Sequence, residues 1–155
     1  MNLLLDTTYL LPAIGISVKG VQPDILTIIR KKTHQTSISE LTLFELSAKG
    51  AKHAATGQLD AKRVCRGIQA VAQDEGLEKL PLLDPETLAT SIQLRRILVD
   101  YIDCVILSTA LSHCDALMTE DGLIQGLEED GTYRNIVNET NPRFKLLTRR
   151  DLAQI

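Results

Sequence analysis

The chain has 155 residues, 44% of them apolar and 24% charged. That suffices for one domain, 1–155, with an ordinary core, and no apolar run approaches the roughly 20 residues that span a bilayer. Three scattered cysteines, Cys65, Cys104 and Cys114, argue against a disulfide framework or a zinc ribbon and fit a reducing, cytoplasmic setting. The formal charge of −3 is unpromising for a nucleic-acid binder, but it is segregated. Residues 1–67 carry nine basic and five acidic side chains, residues 84–130 two and ten, and residues 131–155 five and two, a pattern suited to a metal pocket beside a phosphate-binding rim.

The start, Met1 to Asp6, lacks the basic stretch of a secretion signal. Asn2 to Leu5 reads as a buried strand delivering Asp6 at its carboxyl end. Tyr9 to Ile14 reads as a short helix, and Pro23 opens another running to about Lys32. Thr36 to Ile38 is β-prone, and Ser39 is a plausible N-cap for a helix ending near Gly50. A longer helix covers Leu59 to Glu75 and stops at Gly76; its apolar residues from Val64 to Val71 offer a surface to a partner. Leu80 to Leu83 is a short strand or loop, and helices follow from Pro85 to Val99 and from Tyr101 to His113. Ala116 to Thr119 reads as a strand ending in Glu120 and Asp121. Asn135 to Val137 and Phe144 to Leu147 complete the strands. Strands alternating with helices predict a Rossmann-like α/β sandwich of three layers around a mainly parallel sheet, with its site beyond the carboxyl ends of the strands.

Four acids stand out against this pattern. Asp6 and Asp121 end predicted strands. Glu45 has Leu41, Phe44 and Ala48 around it, and Asp103 is followed at helical spacing by Ile106, Leu107 and Ala110, so both helices place an acid on an apolar side. A carboxylate in such a setting must be neutralised, paired or metal-bound. Four together repel strongly unless a cation joins them, and an all-oxygen ligand set favours Mg²⁺ or Mn²⁺. Each acid also has a plain structural role open to it: Asp6 as a helix cap, Glu45 as a salt-bridge partner, Asp103 as a first-turn acid and Asp121 as a turn residue.

These residues and their neighbours resemble the PIN-domain family of metal-dependent nucleases. Leu3-Leu4-Leu5-Asp6-Thr7-Thr8 looks like the opening strand with its first acid and hydroxyl neighbours. The run from Ile38 to Leu46 is similar to the helix of the second acid, with the acid at Glu45 and not at Glu40. Asp103 to Leu111 looks like the third-acid helix, and Leu117-Met118-Thr119-Glu120-Asp121 like the strand and Thr-x-Asp of the fourth. The resemblance implies phosphodiester cleavage with Mg²⁺ or Mn²⁺ and frequent homodimers. For small stand-alone members of the VapC type it implies a ribonuclease toxin held inactive by an antitoxin. It departs in Cys104, after the third acid, and in Leu59 to Pro81, which resembles nothing specific in the family.

On this reading Asp6, Glu45, Asp103 and Asp121 bind the metal and carry the hydrolysis of RNA, with Thr7, Thr8, Asp100, Thr119 and Glu120 as supporting or substitute groups. Phosphate contacts fall to Arg30, Lys31 and Lys32, to Lys49 and Lys52, or to Arg143, Lys145, Arg149 and Arg150. Five aromatics and no tryptophan leave little for a base-stacking platform. His113, Cys114 and Asp115 adjoin at a helix end without ligand spacing and read as packing and turn residues. No Gly-x-Ser-x-Gly or Walker-type loop is present. Two alternatives remain: a haloacid dehalogenase-like phosphatase with Asp6 as nucleophile, in which Thr8 replaces the usual second Asp, and a non-catalytic partner-binding domain with the same fold.

Overall fold

A parallel sheet of five strands, in the order β3-β2-β1-β4-β5, forms the centre of the structure. The computed structural model describes residues 1–82 and 84–154. The strands are β1 (Asn2–Leu5), β2 (Gln35–Ser39), β3 (Glu78–Leu80), β4 (Ala116–Met118) and β5 (Lys145–Leu147). The helices are α1 (Ile25–Arg30), α2 (Glu40–Ala55), α3 (Ala61–Gln73), α4 (Pro85–Leu94), α5 (Tyr101–His113), α6 (Gly122–Gly126) and α7 (Gly131–Thr140). None of these helices is long and apolar enough to cross a membrane.

Alternation along the strands divides the core into two layers. Leu3, Leu5, Ile38, Ala116, Met118 and Leu147 face Ile25, Ile29, Leu46 and Val71 of α1 to α3. Leu4, Leu117 and Leu146 face Leu94, Ile106, Leu107, Ala110 and Ile136 of α4, α5 and α7. A strand buried on both sides must be apolar at every position, as Leu3, Leu4 and Leu5 are. The register pairs Leu3 with Ala116, Leu4 with Leu117 and Leu5 with Met118, while β2 lies on the other side of β1. The chain order therefore reverses between β1 and β4, and the crevice at such a reversal is where open parallel sheets hold their ligands.

Several predicted boundaries move. Tyr9 to Ile14 forms two 3-10 turns, Thr7–Tyr9 and Leu11–Ile14. The segment read as a strand over Asn135 to Val137 belongs to α7. Asp130 caps that helix by accepting from the Thr132 and Tyr133 N–H groups, and Tyr133 and Ile136 are buried three positions apart. Local β-propensity yields there to a capped helix with an apolar stripe. The third strand ends at Leu80; Leu83, at the end of the predicted segment, lies outside the described residues. The helix from Pro85 stops at Leu94 rather than Val99.

Gly50 does not end α2, which continues to Ala55. A Cβ at Gly50 would run into Val64 of α3, and one at Gly67 into the backbone carbonyl of Ala13. Both glycines permit close packing rather than a turn. Val64 and Val71 are thus buried within this chain, and the apolar face predicted for a partner is consumed by α2, the Leu11–Ile14 turn and the sheet.

Gly67→Ala is expected to destabilise the protein by about 1–3 kcal/mol through overpacking against Ala13, read as a lower urea midpoint at unchanged slope. Helix propensity alone would stabilise it by up to about 1 kcal/mol, so a raised midpoint would contradict the packing described.

Candidate functional site

All strands point the same way, so their carboxyl ends share one edge of the sheet, and the chain delivers its four acids there. Asp6 follows β1 and Asp121 lies just beyond β4, the two strands on either side of the reversal. Glu45 comes from the second turn of α2, which leaves the end of β2. Asp103 sits in the first turn of α5, the helix that leads back down into β4. The strand ends are fixed by backbone bonds from Asp6 N–H to the Met118 carbonyl, 3.0 Å, and from Thr119 N–H to the Leu147 carbonyl, 2.9 Å.

Asp103 is the most perturbed of the four. Its carboxyl is pushed up to about 7, first by burial and then by the negative charges of Asp100, Asp121, Asp6 and Glu45. No hydrogen-bond donor reaches it among the described residues. Asp6, 8% exposed, is also raised, by burial above all and further by Glu45; Thr119, the Thr7 backbone and Thr8 pull the other way.

Thr119 joins two of the acids. Its hydroxyl donates to Asp6 Oδ2 at 2.8 Å and accepts from the Asp121 N–H at 3.1 Å. Thr8 donates to the same Asp6 oxygen at 3.2 Å, occupying the place where the phosphatase reading needs a second Asp. Thr7 donates its hydroxyl to Glu45 Oε2, and Lys49 Nζ lies 2.7 Å from Glu45 Oε1. The Lys49 contact follows from Glu-to-Lys spacing of four along a helix; it fills the salt-bridge role open to Glu45 and engages a lysine expected to contact phosphate.

The structural roles open to these acids are filled unevenly. Asp6 makes no side-chain cap to the turn it opens, whereas Asp103 does stand as an acid in the first turn of α5, though no donor reaches it among the described residues. Glu45 does pair with Lys49. Asp121 caps α6, but through Oδ1 alone, which accepts from the N–H groups of Leu123 at 2.7 Å and Ile124 at 3.2 Å. Asp100 caps α5 through its bond from the Ile102 N–H, 2.8 Å, while its charge acts on Asp103. Glu120 is turned away from the acids: Oε1 accepts from the Tyr9 hydroxyl at 2.5 Å and the Arg149 N–H at 2.8 Å. No local pattern announces that contact, because Tyr9 and Glu120 are 111 positions apart.

The apolar-face argument needs correcting for both helices. On α2 the buried line is Thr42, Leu46 and Gly50; Phe44 is 65% exposed and Ala48 is exposed, so Glu45 flanks the buried line instead of interrupting it. On α5 every residue from Cys104 to Leu111 is buried, so Asp103 marks the mouth of a fully enclosed helix. His113, Cys114 and Asp115 diverge, with His113 toward Asp84, Cys114 in the core and Asp115 accepting from the Asn2 N–H.

The acids lie within electrostatic reach of one another, yet among the described residues no three His, Cys, Asp or Glu side chains close into a group that could hold an ion as placed. Hydroxyls and Lys49 hold Asp6 and Glu45, and a helix end holds Asp121. The donor set still fits a hard divalent cation: its atoms are carboxylate oxygens, and among the described residues Asp103 has no positive or hydrogen-bonding partner.

Topology also sorts the basic runs. Lys31, Lys32, Arg143 and Lys145 precede β2 or lie at the start of β5, at the opposite edge of the sheet. Arg30 is tied to Asp74, and Arg149 to Glu120 and the Lys19 carbonyl.

Comparison with known proteins matches residues 3–127 to the PIN domain family. No curated protein matches the chain. Among solved structures it resembles the crystal structure of VapBC2 from Rickettsia felis bound to a DNA fragment from their promoter, with a TM-score of 0.61 and 17% identity, over 96% of this chain and 98% of that one.

Because Asp103 holds its proton more tightly in the folded than in the unfolded chain, its effect on stability is neutral below about pH 4 and increasingly unfavourable as pH rises to about 7. With a chelator present, Asp103→Asn is expected to raise the melting temperature at pH 8 by about 3 °C, or about 1 kcal/mol after discounting for a half-exposed site, and to change it little at pH 4. An equal change at both pH values would contradict the crowding of charge around Asp103.

Proposed function

The chain belongs to the PIN domain family, and on that premise we propose that it is an endoribonuclease using Mg²⁺ or Mn²⁺ held by Asp6, Glu45, Asp103 and Asp121. The observation that carries this reading is the delivery of four acids, from β1, α2, α5 and the end of β4, to one edge of a parallel sheet, where burial and the neighbouring negative charges raise Asp103. The ion pair of Glu45, the cap made by Asp121 and the first-turn place of Asp103 each serve one helix and do not require the four acids to share one edge, where like charges brought together destabilise the fold.

When bound, a divalent ion supplies a water of lowered pKa and offsets charge on the phosphate. The residues of the chain orient the reaction around it. Thr119 fixes the separation of Asp6 and Asp121, Thr7 directs Glu45, and Asp103 offers two oxygens free of other partners. In its ionised form Asp103 both binds the cation and balances its charge. Metal affinity therefore rises with pH up to about 7, where Asp103 titrates. Lys49 is the internal cation nearest this ligand set, 2.7 Å from Glu45.

We further read the chain as the toxin of a toxin-antitoxin pair acting on RNA as a homodimer or larger assembly. The fold shared with the VapBC2 structure supports this. So does an apolar fringe at the active edge: Phe44, Val99, Tyr101 and Leu123 are all exposed and adjoin or closely flank Glu45, Asp100, Asp103 and Asp121 in sequence. Exposed apolar residues collected around a polar site mark a surface that a protein partner covers.

Single-stranded RNA is expected to be cleaved with Mg²⁺ or Mn²⁺ and to survive with EDTA. Asp6→Asn and Asp103→Asn should reduce cleavage to background, and Thr119→Val should lower kcat by roughly 10–100-fold with the fold intact. Gel assays over a time course read all three. Equal cleavage by wild type and both Asp variants would show that the activity comes from elsewhere.

A further inference from the structure

The hairpin formed by α2 and α3 carries a feature that the acid site does not use. Lys52, Lys62, Arg63 and Arg66 are exposed and none forms an ion pair among the described residues. Asp60 is the one acid in this stretch, and its side chain is occupied as the α3 cap, accepting from the Arg63 N–H at 2.8 Å. From residue 51 to residue 63 no side chain is buried, so the tip of the hairpin stands clear of the core. The Leu11–Ile14 turn packed beneath α3 brings no charge to oppose these cations.

Arg63 packs its guanidinium over Gly15, but stability does not explain the placement of the others. Lys62 and Arg63 occupy the first turn of α3, which contains no acid. Cations there oppose the helix macrodipole, which favours anions at the amino end. The base of the hairpin is anchored by close packing of Gly50 on Val64 and Gly67 on Ala13, so the cations are carried on a fixed arm. The arm grows from the active edge. On α2 the positions 45, 49 and 52 follow one another along one face at helical spacing, leading from Glu45 through Lys49 to Lys52.

We propose that the distal half of the α2–α3 hairpin is a phosphate-binding arm that grips the backbone of single-stranded RNA away from the scissile bond. This rests on the nuclease reading. Polyanion backbone is the occupant that fits, because the patch is cationic and contains no exposed large apolar side chain, whereas a protein partner would need apolar contact as well. Binding of phosphate also removes the conflict with the α3 dipole.

The test measures fluorescence anisotropy of a labelled 20-nucleotide RNA with the full chain in EDTA, from 50 to 200 mM KCl. It compares wild type, K52Q/K62Q/R66Q and a control, K31Q/K32Q/R143Q, at the opposite edge of the sheet. The hairpin variant is expected to raise Kd roughly tenfold and to flatten the log Kd against log salt slope by about 2, at about 0.7 per lost phosphate contact on a single strand. The control should match wild type. With metal added, the hairpin variant should raise KM and leave kcat nearly unchanged, and an unaltered melting curve should show that it is folded. An unchanged salt slope overturns the arm while leaving the nuclease reading intact. Loss of poly-L-glutamate binding with RNA binding retained also overturns it and assigns the patch to an acidic protein. Failure of wild type to bind RNA at all sinks both readings.

Discussion

Like charges gathered in a partly buried place repel and raise one another's pKa, and the carboxyl edge of this sheet is built against that repulsion. Burial and four neighbouring negative charges raise Asp103, and among the described residues no donor relieves it. Parallel strands impose the conflict, because they bring every carboxyl end to one edge, and Asp6 and Asp121 follow β1 and β4, the two strands on either side of the reversal in strand order. The rest of the local structure holds the acids in place: Thr119 bridges Asp6 and Asp121, Thr7 and Lys49 secure Glu45, and the start of α6 holds one oxygen of Asp121.

The parts of this arrangement that were readable in the sequence are those dictated by local chemistry. The apolar run Leu3 to Leu5 ending in an acid, the Ser39 cap of α2 and the limits of α5 all follow from periodicity and capping, and the structure shows each of them. The Rossmann-like sheet follows from the alternation of strands and helices. What escaped depends on remote contact. Gly50 looks like a helix stop until Val64 is seen beside it. Asn135 to Val137 looks like a strand because Ile136 and Val137 are β-branched, yet the Asp130 cap and the buried stripe of α7 prevail. Glu120 looks like a spare ligand until Tyr9 and Arg149 are found holding it.

The four acids themselves were singled out partly for a reason that does not hold. Glu45 and Asp103 do not break an apolar stripe: one flanks a narrow buried line, and the other guards the open end of a helix buried on all sides. Their association is better explained by topology, since the amino-terminal turns of α2 and α5 both lie at the carboxyl edge of the sheet. The same topology sets Lys31, Lys32, Arg143 and Lys145 at the far edge and places Arg149 and Arg150, after β5, and the base of the α2–α3 hairpin on the side of the acids. The segregation of charge along the chain thus becomes, in part, a segregation in space between the acids at the strand ends and the exposed cations of the α2–α3 hairpin.

The central claim is that these four carboxylates form one cation site. Anomalous diffraction from crystals of the protein grown or soaked with Mn²⁺ tests it most directly. The account predicts a strong peak in the crevice between β1 and β4, within about 2.0–2.3 Å of carboxylate oxygens from Asp6 and Asp103, with Glu45 and Asp121 adjoining. A Mn²⁺ peak elsewhere, with the crevice featureless at millimolar metal, would contradict it.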